Sequence, residues 1–187
     1  MPNKIILLFI WIILSCQLIT AQNLAYNWEA DRSPYQIDEK LKDEALIYLK
    51  YHRQYVYNYE GDDLDLVLYQ TEHEIMKANN DNALARSNRI SIPMQNALEL
   101  VDLQARTITP DGNIINFDKS EIKEIDDEET GTGYKIFAIE GAEVGSEIEY
   151  YFTKKMNPDY FGREYFQFSE PILDASFVLV TPENLNF

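Results

Sequence analysis

Thiol chemistry is nearly absent from this sequence, whose one cysteine, Cys16, sits within the first twenty residues. Beyond it no disulfide, thiolate metal site or cysteine nucleophile can form. Histidine is scarce too, with only His52 and His73. Basic residues number 16 against 32 acidic ones, and a net charge of −16 repels nucleic acid and anionic lipid before contact. Seven glycines and seven prolines exclude a collagen-like or low-complexity chain, and we find no internal repeat. What is plentiful is the strand-favouring aromatic side chain: 13 Tyr and 9 Phe.

The first residues read as an address. Lys4 precedes the apolar run Ile5 to Leu14, and Leu18-Ile19-Thr20-Ala21 leads into Gln22. The run is too short and wrongly flanked to span a membrane, which makes it a secretory signal cut after Ala21. Ile13-Leu14-Ser15-Cys16 loosely resembles a bacterial lipobox, so lipidation at Cys16 is the competing reading. Against it, Leu18 and Ile19 stay apolar where lipoproteins turn polar. Export to the periplasm, cell envelope or medium is expected either way, with membrane attachment only if Cys16 is lipidated. Residues 22–44 form a lead-in, and 45–187 are one domain long enough to bury a core.

The clearest local signal is Thr109-Pro110-Asp111-Gly112-Asn113, set between two β-rich runs within Leu98 to Phe117. Pro110 presets φ, Asp111 tolerates the next position, and Gly112 takes the left-handed conformation that closes a hairpin with a bulge. Upstream, Ala45 to Tyr59 predicts a long strand with Ile47, Leu49, Tyr51, Tyr55, Tyr57 and Tyr59 on one face. After Glu60-Gly61-Asp62, Leu64 to Met76 completes a long hairpin. Ser33-Pro34 opens a short helix through Lys42, or an ordered surface coil. Asp81 or Asn82 caps one turn through Arg86, and Arg89 to Met94 is a short strand that Pro93 marks as an edge or a strand end. Ser120 to Ile125 and an acidic loop follow the central hairpin, and further strands are predicted at Tyr134 to Ile139, Glu147 to Lys154, Glu164 to Phe168 and Ile172 to Val180. Strands at this spacing, without βαβ alternation, predict an all-β antiparallel sandwich built from long hairpins, with at most one or two short helices.

Several clusters carry chemistry on paper. His52 and His73, with Glu72 and Glu74, offer metal ligands; on long strands they are more often plain polar positions, and register decides whether they share a face. Glu147 and Glu149 share a face and could act as an acid–base pair, yet their alternation with Ile148 and Tyr150 also describes a half-exposed strand. Asp126 to Glu129, with Gly131 and Gly133, offers calcium oxygens but lacks the ligand spacing of a known loop. Tyr51, Tyr55, Tyr57 and Tyr59 form a stacking platform for sugar or peptide, or ordinary cross-strand packing. Ser87, Ser91 and the other hydroxyls have no neighbouring histidine pattern that marks a nucleophile. No catalytic, cofactor or metal residue is assigned on these grounds.

Ala105-Arg106-Thr107-Ile108 before Pro110-Asp111-Gly112, then Gly141 to Gly145-Ser146-Glu147-Ile148-Glu149-Tyr150, then Glu170-Pro171-Ile172, resemble one family. It is the uncharacterised secreted domain that precedes transglutaminase-like, papain-like cores in bacterial envelope proteins. The resemblance covers roughly Ala45 to Phe187 and rests on Pro110, Asp111, Gly112, Gly141, Gly145 and Pro171 as structural positions. It implies a β-sandwich with no established activity of its own, any Cys-His-Asp core lying downstream. The expected function is therefore a noncatalytic accessory or interaction module, partnered by a C-terminal transglutaminase-like domain or another envelope protein. An independent glycan- or peptide-binding sandwich is the alternative. Apolar Phe177 to Val180, Leu185 and Phe187 lead us to expect that the domain continues past the given sequence.

Overall fold

The computed structural model describes residues 26–29, 31–127 and 133–185. The predicted signal and Cys16 lie outside them, as do Glu128, Glu129, Gly131 and Phe187. The chain divides into two units, Met1–Arg32 and Ser33–Phe187. The described residues of the first hold no helix or strand. No described helix is long and apolar enough to cross a membrane.

In the second unit the strands are β1 (Leu46–Glu60), β2 (Asp65–Ala78), β3 (Arg89–Pro93), β4 (Ala97–Ile108) and β5 (Ile114–Asn116). They continue as β6 (Lys123–Asp126), β7 (Gly133–Ala138), β8 (Glu147–Met156) and β9 (Ala175–Val180). One α-helix, α1 (Asp81–Ser87), and two single 3₁₀ turns complete the set. Six strands form a sheet in the order β5-β4-β8-β2-β1-β9, and three form a second in the order β3-β7-β6. All pairings are antiparallel except β1 with β9, which run parallel. The fold is the all-β, largely antiparallel, two-sheet class that the alternation predicts.

The two sheets bury Leu103, Ala105, Ile148, Tyr150 and Phe152 of the large sheet against Ile90, Ile92 and Phe137 of the small one. Ala83 of α1 closes one end. Removing a fully buried side chain such as Ile148 forfeits its transfer energy and leaves a cavity, about 2–5 kcal/mol for Ile148→Ala. The opposite face of the large sheet buries Ile47, Leu49 and Ile75 beneath Ile37 and Leu41 of the lead-in. β8 therefore has both faces covered.

The central hairpin closes as its turn residues demand. Thr109 N donates to Asn113 O at 2.9 Å, Gly112 N to Thr109 O at 2.9 Å, and Gly112 has φ +91°. Pro93 sits on an edge strand, as its missing N–H requires.

Five expectations need correction. A register shift between Tyr48 and Lys50 inserts Leu49 as an extra residue, so the apolar stripe of β1 changes face there. Ile47 and Leu49 point to one side while Tyr51 turns to the other, beside Tyr48. The helix predicted from Ser33 is only a 3₁₀ turn at Glu39–Leu41, capped by Asp38, whose carboxylate accepts from Lys40 N at 3.0 Å. Asn80, rather than Asp81 or Asn82, caps α1, accepting from Ala83 N at 2.9 Å. Residues 164–168 form no strand, and the last strand begins at Ala175 after an isolated bridge of Ile172 to Tyr48. The segment from Gly141 to Ser146 crosses between sheets instead of closing a hairpin, because β7 and β8 lie in different sheets.

Candidate functional site

Alternation on β1, β2, β4 and β8 sends ionisable side chains to both faces of the large sheet. On the face away from the small sheet, Arg106 of β4 and His73 of β2 converge on Glu149 of β8 between them. Arg106 Nε donates to Glu149 Oε2 at 2.8 Å, and His73 Nε2 lies 3.0 Å from Oε1. Arg106 is fully buried. Glu147, also fully buried, accepts from Tyr35 N at 2.7 Å and lies 3.8 Å from Lys77 Nζ. The reading of Glu147 and Glu149 as a half-exposed pair is thus corrected: both are buried and matched to cations. Burial without pairing would leave each carboxylate at a cost of several kcal/mol.

The two histidines do share this face, directly opposite each other across β1 and β2. Glu72 and Glu74 point to the other side, so the four do not assemble. His52 Nδ1 lies 2.8 Å from Ser176 Oγ of β9, a histidine–hydroxyl pair that the sequence does not announce, since the two are 124 residues apart. Burial, then the nearby Lys50 and His73, hold the His52 pKa down from 6.5 to about 4. Such an imidazole is neutral at physiological pH and a weak base. Ser87 Oγ donates to Ala83 O at 2.8 Å inside α1, and Ser91 pairs across to Ile136 on β7.

The inner face holds a second cluster. Arg53 Nη2 reaches Glu74 Oε1 at 2.7 Å and Glu72 Oε2 at 3.1 Å. The Tyr150 hydroxyl donates to Glu74 Oε2 at 2.7 Å. Arg53 Cζ lies 3.9 Å from the centre of the Tyr51 ring, a cation–π stack. Burial opposes the guanidinium charge, but Glu72 and Glu74 outweigh it and raise its pKa. Glu72 is raised by burial, partly offset by Arg53. Burial lowers Lys154, whose Nζ donates to Pro93 O at 3.2 Å.

The tyrosine row is not an open platform. The Tyr57 hydroxyl donates to Asp159 O and the Tyr55 hydroxyl to Glu164, while Phe166 and Phe168 pack on Tyr51. The residues between β8 and β9 lie over it. Asp126 and Gly133 pair at the ends of β6 and β7, and residues 128–132 of the acidic loop between them lie outside the described residues. Among the described residues, no group of three or more His, Cys, Asp or Glu side chains is arranged to hold a metal ion. A pocket of about 330 Å³ opens beside the small sheet, with Ile115, Phe117 and Ile136 in its wall and Arg89, Lys123 and Glu121 at its margin.

A two-sheet, mostly antiparallel module with its charges buried in matched groups is the class this architecture defines. Residues 68–187 match the family described as a domain of unknown function with solved structure, DUF3857, and the chain belongs to that family. Among solved structures, one described as a "putative protease" from Parabacteroides distasonis is similar, with a TM-score of 0.61 and 14% identity. The match covers 74% of this chain and 29% of that one, so the chain spans less than a third of that protein. At this identity the likeness is one of fold. No curated protein matches the chain.

Proposed function

We propose that this chain is a noncatalytic interaction module of an exported, transglutaminase-like envelope protein. The observation that carries the reading is where apolar surface remains exposed. Tyr160, Phe161, Tyr165, Leu173, Phe177 and Leu179 all lie within one stretch and are all exposed, Phe161 by 88%. Concentrated apolar surface of this kind marks an interface. The groups with catalytic potential are, by contrast, buried and engaged: Glu149 with Arg106 and His73, His52 with Ser176. The fold's occurrence as a minor part of a longer solved chain, itself described as a "putative protease", supports a role beside an enzymatic domain.

The test is an assay of the purified chain for amine incorporation and peptide hydrolysis. No turnover above blank is expected. Turnover that survives purification and disappears on replacing Ser176, His73 or Glu147 overturns the reading.

A further inference from the structure

Residues 157–168 cross the uncovered half of the inner face as an extended strap with no helix or strand of its own. Among the described residues, no backbone–backbone hydrogen bond ties 160–168 to the sheet. Side chains hold it instead. Glu164 accepts from the Tyr55 hydroxyl. Phe166 sits edge-on between Tyr51, at 5.8 Å between ring centres, and Phe177, at 6.4 Å. Phe168 lies 5.0 Å from Tyr51 and stacks on Tyr48 at 5.7 Å. Glu164 and Phe166 are half-buried and Phe168 covers Tyr48 and Tyr51 with one face while its other face stays exposed; the intervening Tyr165 and Gln167 make no ring contact with the trough. This is the way an extended ligand reads alternate pockets on a strand surface.

The trough beneath is built without the strap. Arg53, Glu72, Glu74 and Tyr150 bond to one another across β1, β2 and β8, and Arg53 is stacked on Tyr51. Lifting the strap removes the Tyr55–Glu164 bond, the Tyr57–Asp159 bond and the ring contacts and leaves this floor intact. Segments held by few contacts and no ladder hydrogen bonds open at the lowest free energy in a fold.

We propose that this tyrosine trough is a peptide-binding site which the strap fills in cis. In trans it takes an extended segment with a carboxylate followed by aromatic rings at alternate positions, the acid-x-aromatic-x-aromatic pattern of Glu164, Phe166 and Phe168. The inference goes beyond the module reading and depends on no neighbouring domain. The covalently attached strap competes at a high effective concentration, so a free peptide gains the site only when the strap is weakened.

The probe is a fluorescein-labelled peptide of residues 163–169, Arg-Glu-Tyr-Phe-Gln-Phe-Ser. Its anisotropy is titrated against the unaltered chain and the Phe166→Ala/Phe168→Ala variant, whose sockets are empty. The variant is expected to bind about tenfold tighter or more, and a peptide with both Phe replaced by Ala is expected to lose that gain. Equal binding by variant and unaltered chain, or by both peptides, overturns the proposal. Should the double variant fail to fold, the milder Glu164→Ala variant decides with the same labelled peptide. Peptide that binds Glu164→Ala more tightly than the unaltered chain supports the proposal, because that variant loses the strap's bond to Tyr55 and keeps both rings; equal binding overturns it.

Discussion

The Pro110 ring lies against Gly145: a β-carbon added at Gly145 would sit 3.2 Å from Pro110 Cγ. The turn of the central hairpin thus rests on the last loop before β8. That loop is pinned in turn, since Gly145 N donates to Ala78 O at 2.6 Å and Lys77 Nζ donates to Gly145 O at 2.8 Å. Two motifs distant in sequence become one contact in space.

Gly145 combines this approach with φ +91°, whereas Gly112, at the same φ, has only Pro34 Cδ at 3.8 Å. Gly112→Val is expected to destabilise by about 1–2 kcal/mol through backbone strain. Gly145→Val adds the collision with Pro110 and is expected to lose more. Urea midpoints rank the two, and a Gly145→Val midpoint equal to that of the unaltered chain would show the ring gives way freely.

Glu149 holds β4 and β2 to β8 through Arg106 and His73. Glu149→Ala strands a buried guanidinium and is expected to destabilise by about 3–5 kcal/mol. Replacing Arg106 by Met at the same time removes the stranded charge and should recover much of that loss. Denaturation of the single and double variants measures it; strictly additive losses would refute the coupling.

Acid sensitivity follows from His52. Its folded pKa of about 4 lies below the ordinary 6.5, so between those values the unfolded chain binds the additional proton. The stabilisation is complete above about pH 6.5 and is lost as pH falls towards 4, on the order of 1–3 kcal/mol in all. His52→Gln should flatten the stability profile in that window. A profile identical to that of the unaltered chain would assign the acid loss to other groups.

Export is decided by mass. The secreted chain should begin at Gln22 after cleavage behind Ala21. A lipidated Cys16 would instead give a membrane-partitioning species carrying acyl mass.

Hairpins were legible because their signals are local. The Pro110-Asp111-Gly112 turn and the alternation of Leu66 and Leu68 need no knowledge of partners. What stayed hidden depends on register. The extra residue at Leu49 leaves no mark in composition, yet it exchanges the faces of β1. Arg106 stood in a family-like motif, but its role needed β4 to be placed beside β8. Ser176 faces His52 only because β9 returns to lie along β1. Glu164 to Phe168 has strand-like alternation without strand hydrogen bonds, which periodicity alone cannot separate. For the same reason, Glu147 and Glu149 looked solvent-facing although their face of β8 is covered.

The parallel seat of β9 on β1 also sets a timetable. β1 emerges early in synthesis, and its outer edge keeps unpaired amides and carbonyls until a segment 124 residues later arrives. No local turn brings the two together, so this closure carries the full loop entropy of the intervening domain. Among the described strands β9 is thus made long after the one it pairs with, and a nascent chain halted before Ala175 would offer β1 to any neighbour with a free edge.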